Sequence, residues 1–67
     1  MITINNQNYI TNKTNGGFVN VELRGLSTDE KPTEINDTPI ENGSTFIEID
    51  TGKIYLYDLE NEEWKEI

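Results

Sequence analysis

Residues Asp50-Thr51-Gly52 spell the tripeptide that carries the catalytic carboxylate in aspartic proteases, and Gly52-Lys53 overlaps it with the ending of a phosphate-binding loop. Protease chemistry needs two carboxylates that share one proton, so a single Asp-Thr-Gly works only in a homodimer. Lys53 would then set an ammonium beside the dyad and hold both carboxylates as anions. A chain of 67 residues also lacks room for a flap and a substrate cleft. A phosphate loop needs a longer glycine-rich turn followed by a helix whose amino end faces the phosphate. Here Lys53 leads into Ile54-Tyr55-Leu56-Tyr57, the pattern of a β-strand. The tripeptide reads as turn chemistry.

Two further groups invite a chemical reading. Asp58, Glu60, Glu62 and Glu63 gather around one turn, but without the ligand spacing of a calcium loop, and a solvated acidic turn is the expectation. Phe46, Tyr55, Tyr57 and Trp64 suggest a platform for stacking bases or sugars. Base stacking comes with a basic groove, whereas this half of the chain is acidic. The rings are expected instead to cover the second face of a small sheet, or to bury it against another subunit. With no histidine and no cysteine, the commonest general base, the commonest transition-metal ligand and any disulfide are excluded. No catalytic residue, metal site or cofactor is assigned.

The elements that must carry these residues are strands. Alanine is absent, and Ile, Val, Thr, Tyr and Phe recur with period two. Ile2 and Ile4 alternate, Asn5 to Asn8 read as a turn, and Tyr9-Ile10-Thr11 as a short return strand. A polar loop with Gly16 and Gly17 follows. Val19, Val21 and Leu23 then share one side of a strand, with Phe18, Asn20 and Glu22 on the other, and Gly25 ends it.

Segments 44–50 and 53–59 form the best-defined unit. A hairpin turning at Thr51-Gly52 would set Asp50 opposite Lys53, Ile49 opposite Ile54, Glu48 opposite Tyr55 and Ile47 opposite Leu56. Ile47, Ile49, Ile54 and Leu56 then share an aliphatic face, while Phe46, Glu48, Tyr55 and Tyr57 share the other. A three-residue loop with Gly52 in a bulge is the competing geometry. A final strand places Trp64 and Glu66 on one side, Lys65 and Ile67 on the other. The expected architecture is a single all-β domain, an antiparallel meander of about five short strands.

Residues 26–44 follow neither period. Pro32 and Pro39 favour extended backbone, and Leu26, Ile35 and Ile40 are the apolar anchors of what reads as a long arm, packed over the sheet, offered to a partner or partly disordered. Charge is uneven too. Residues 1–28 carry Lys13 and Arg24 against Glu22, whereas residues 29–67 carry twelve acids against three lysines, so the net charge of -8 lies wholly in the second part. Such a field disfavours nucleic acid and anionic membrane as direct partners. No apolar run approaches the ~20 residues of a membrane span, and no signal segment is apparent, so synthesis in the cytoplasm is expected. A core this small contributes only ~3–5 kcal/mol of net stability, which favours oligomerisation or docking on a larger assembly. The expected interface residues are Phe46, Tyr55, Tyr57, Trp64, Leu26, Ile35 and Ile40.

Asn42-Gly43-Ser44-Thr45-Phe46, Asp50-Thr51-Gly52-Lys53, Tyr55-x-Tyr57-Asp58 and Trp64 together resemble a family of small proteins encoded by phages and prophages of low-GC Gram-positive bacteria. The resemblance covers roughly residues 21–67. It implies a virion-associated or accessory role in the bacterial host, without an enzymatic activity. The leading expectation is therefore a non-catalytic phage structural protein that oligomerises or decorates a head or tail. The alternative is an acidic inhibitor of a host defence protein, mimicking nucleic-acid phosphates in a basic groove.

Overall fold

The computed structural model describes residues 1–10 and 17–67. The chain is all-β, as its composition predicts. In chain order its strands are β1 (Thr3–Ile10), β2 (Phe18–Gly25), β3 (Glu34–Ile35), β4 (Thr38–Pro39), β5 (Thr45–Glu48), β6 (Ile54–Asp58) and β7 (Glu63–Glu66). Five of them form one sheet in the order β1-β2-β5-β6-β7, and β3 with β4 makes a separate two-stranded piece. The polar loop expected before Gly17 falls on residues 11–16, outside the described residues.

Most of the sheet runs as a meander, but one junction differs. β2 and β5 are parallel, pairing Glu22 with Thr45 through Gly25 with Glu48. Parallel neighbours require a crossover of a dozen or more residues, and the Pro-containing arm supplies it. Ser44 fixes the junction: its buried hydroxyl accepts from the Val21 amide at 3.1 Å and donates to the Glu41 carbonyl at 2.9 Å. One turn earlier, the Glu41 amide donates to the Val19 carbonyl at 2.7 Å, drawing Ile40 beside β2. The arm is thus a structured cover.

Its centre is a tight hairpin. Ile35 pairs with Thr38, leaving Asn36 and Asp37 as a two-residue turn with φ of 49° and 63°. Positive φ at both central positions is what a type I′ turn demands, and Asn and Asp tolerate it best after glycine.

β1 corrects a second expectation. Asn5 to Asn8 do not turn; the strand runs unbroken from Thr3 to Ile10 against β2, with a bulge between Ile4 and Asn6. An extra residue in one strand is accommodated by a bulge without ending the ladder.

The hairpin between β5 and β6 keeps its expected faces but not its expected register. Ile47 pairs with Ile54, Phe46 with Tyr55 and Thr45 with Leu56, a slip of two residues. Because side chains alternate with period two, an even slip leaves every strand residue on its face, while Ile49, expected on the aliphatic face, passes into the loop. The loop is Ile49 to Gly52, closed by Glu48 N–H donating to the Lys53 carbonyl at 2.9 Å. A two-residue turn would have required positive φ at the β-branched Thr51, which is costly. Only Gly52 takes that conformation here, with φ of 76° and open space where a Cβ would stand. Gly52→Val is accordingly expected to cost about 1–2 kcal/mol through backbone strain alone. Gly52→Asn should cost less; equal urea midpoints for all three chains would refute the strain.

Val19, Val21, Leu23, Ile40, Phe46 and Tyr57 make the core, with Ile2, Ile35, Tyr55, Leu59 and Trp64 packed against it. It lies between the aromatic side of the sheet and the arm.

Candidate protein-interaction face

The sequence assigns the interface to the aromatic side, and the fold encloses most of that side within the chain. Phe46, Tyr57 and Ile40 are buried, so they present no surface to a partner. Tyr55, Trp64 and Ile35 are half-buried against the same core. Of the residues expected at an interface, only Leu26 is substantially exposed. The physical reason is area: aromatic rings offer the most apolar surface to bury, so the crossover settles on them.

Named contacts hold the cover in place. Trp64 donates its indole N–H to the Pro32 carbonyl at 2.8 Å, and its ring meets Phe46 at 6.0 Å, edge to face, and Tyr57 at 5.0 Å. Lys31 reaches under the arm to Glu48 at 2.7 Å, with its ammonium 4.8 Å from the Phe46 ring centre and 4.5 Å from that of Tyr55. Thr51 donates its hydroxyl to the other Glu48 oxygen at 2.7 Å. Glu48 is held below the usual carboxylate range by Lys31 first and Thr51 second. Burial raises the Tyr57 phenol above its ordinary value, and the carboxylates of Glu62 and Asp58 add to that.

Asp50 is not set opposite Lys53, whose cross-strand partner is Glu48. Asp50 accepts from the Ser27 hydroxyl at 2.6 Å and from the Ser27 amide at 2.9 Å, clamping the hairpin loop to the start of the arm. These bonds, the hydroxyl's first, lower its pKa. Thr51 and Lys53 join the same loop, with the Lys53 amide donating to the Thr51 hydroxyl oxygen at 3.2 Å. The tripeptide is a tie between two segments. At the acidic turn Asp58 accepts from the Asn61 side chain at 2.8 Å, a local bond of the loop. Among the described residues no acidic group is gathered as a metal site, and they enclose no pocket.

Among the described residues, no segment covers the opposite side of the sheet. Ile47 and Ile54 are direct cross-strand neighbours, Leu56 lies on the same side one pair along, and the Ile67 amide continues the ladder by donating to the Ile54 carbonyl at 2.9 Å. Ile54 and Leu56 stay 43% and 41% exposed in the middle of a sheet, where half-buried side chains are the norm. Arg24 stands beside Ile47 on β2, and Lys65 beside Leu56 on β7. Lys65 is kept protonated above its ordinary range by the Glu63 carboxylate at 2.9 Å. The result is an aliphatic stripe with Arg24 and Glu22 on its β2 flank and the Lys65–Glu63 ion pair on its β7 flank. No family model, curated protein or solved structure matches the chain.

This stripe was visible in the sequence as the aliphatic face of the hairpin. What the sequence did not reveal is which of two apolar faces the arm would take.

Proposed function

We propose that the chain is a non-catalytic accessory module that docks on a larger protein assembly through the stripe of Ile47, Ile54 and Leu56. The observation that supports this is the stripe's exposure after the arm has covered the aromatic side. An aliphatic surface lacks the rings that bases or sugars stack on, and the acidic chain repels nucleic acid and anionic lipid. The matching partner is a protein strip of apolar residues with polar groups of mixed charge at its margins, matching Arg24 and Glu22 on one flank and the Lys65–Glu63 pair on the other. The setting, a phage head or tail, rests on the resemblance of residues 21–67 to small phage and prophage proteins.

Ile54→Thr/Leu56→Thr tests the reading, since threonine keeps β-propensity and loses apolar area. The double variant should stay folded, with a cost of no more than about 1–2 kcal/mol at half-exposed positions. Its association with purified particles, followed by mass spectrometry, should fall at least tenfold. Absence of the parent chain from such particles would refute the docking. An acidic inhibitor would behave differently, losing its partner steeply with added salt.

A further inference from the structure

We propose that the outer edge of β1 pairs with β1 of a second copy, antiparallel across a two-fold axis, joining two sheets into one. This goes beyond docking through the stripe and does not depend on it.

The first observation is position. β1 ends the sheet order, so the backbone N–H and C=O groups on its outer side face no strand among the described residues. Exposed edges template pairing with another chain unless charge, proline or distortion blunts them. β1 is eight residues long and holds neither a charge nor a proline. Its bulge lies between Ile4 and Asn6, which leaves Asn6 to Ile10 as an uninterrupted run. The other edge is protected: β7 is four residues long, and Glu63, Lys65 and Glu66 are three of them.

Electrostatics selects the occupant. A chain of net charge -8 repels its own copies, and the acids lie almost wholly beyond residue 28. Sheet order puts β1 and β2 at one end and the acidic strands β6 and β7 at the other. Two copies that meet β1 to β1 therefore keep their acidic ends far apart. Meeting β1 to β7 would bring carboxylates to the junction and leave an edge open for further copies, whereas the two-fold contact closes.

Apolar surface points the same way. Ile4 and Tyr9, opposite Leu23 and Val19, remain 43% and 48% exposed at the rim of the core. The same residues of a second copy would cover them. Asn6 and Asn8 project on the other side and have amides to exchange hydrogen bonds across the axis.

Sedimentation equilibrium across a concentration series tests the proposal. The expected result is a reversible dimer of twice 7.7 kDa, with β1 amides gaining protection from hydrogen exchange as concentration rises. Asn6→Lys/Asn8→Lys should weaken dimerisation at least tenfold while leaving the circular dichroism of the monomer unchanged. Asn8→Thr, an uncharged strand former, should keep the dimer. A parent chain monomeric throughout the series overturns the proposal. So does a dimer that survives the lysine variant and is lost in Ile54→Thr/Leu56→Thr. If the stripe variant dimerises normally but fails to dock, the edge stands and the docking surface is confirmed as separate.

Discussion

Phe46→Ala is expected to leave the chain largely unfolded at 25 °C. The ring is wholly buried and touches each part that the fold must hold together. Trp64 packs edge-on against it, and the Lys31 ammonium sits 4.8 Å from its centre. At Gly25 it lies so close that a Cβ there would come within 2.8 Å of Cζ. This glycine ends β2 because the ring occupies the space of its side chain. Truncating a buried phenylalanine costs about 3–5 kcal/mol, the lost transfer energy plus the cavity. A single core of this size holds a net stability of only about 3–5 kcal/mol. The two quantities are equal within their spread, so the folded fraction should collapse. Trp64 fluorescence through a urea titration would show it, because the indole loses both Phe46 and its bond to Pro32 on unfolding. Phe46→Leu keeps most of the volume and should retain a cooperative transition, about 1–2 kcal/mol weaker. A transition for Phe46→Ala at the parent's midpoint would show that the core does not depend on this ring.

The sequence made the faces of this fold readable and left its connections obscure, for a common physical reason. Alternation in β2 marked Val19, Val21 and Leu23 as one side, and all three are buried. Trp64 and Lys65 were likewise assigned to opposite sides of β7, and their partners Tyr57 and Leu56 lie on opposite sides of β6. Period two is a local property of the backbone, so it survives whatever the strands pair with. Register is not local. The β5–β6 hairpin slipped by two because Asp50 found Ser27 and the Ile49 amide found the Gly25 carbonyl, contacts across more than twenty positions. The same holds for the parallel junction, which depends on Ser44 meeting the Val21 amide. One local signal was missed: Asn36-Asp37 between Ile35 and Thr38 is turn chemistry for a two-residue hairpin, concealed by the absence of alternation around it. Two apolar faces compete for cover, and only the path of the arm decides that Phe46, Tyr57 and Ile40 become core residues.

Lys31→Met should remove most of the coupling between Glu48 and the pH dependence of stability. In the parent the Glu48 carboxylate accepts from Lys31 and from Thr51, and its side chain is only 4% exposed. Its folded pKa lies below the ordinary 4.5, chiefly through Lys31. A carboxylate with a lowered folded pKa adds stability that is complete above the unfolded value and is lost as pH falls through the folded one. Methionine would fill the space between the Phe46 and Tyr55 rings, a setting that suits its sulfur. Glu48 would then lose its cation but keep Thr51, whose hydrogen bond outweighs desolvation, so its pKa should move back toward the unfolded value from below. Its contribution would keep the same sign, present above the unfolded value and lost as pH falls, but would be smaller. The penalty of the substitution should therefore be greatest near neutrality, lowering Tm by more than about 5 °C in a domain of this size. It should shrink as pH approaches about 4. Asp29, Asp50 and Asp58 are also held below their ordinary values, Asp29 first by the Leu26 amide, but they are common to both chains and cancel in the difference. In a Glu48→Gln background both chains lack the titrating group, so the difference between Glu48→Gln and Lys31→Met/Glu48→Gln should not depend on pH. Urea midpoints at about pH 4 and about pH 7 for the four chains of this cycle decide the matter. A penalty that is the same at both would mean that the ammonium packs on the rings without governing the charge of Glu48.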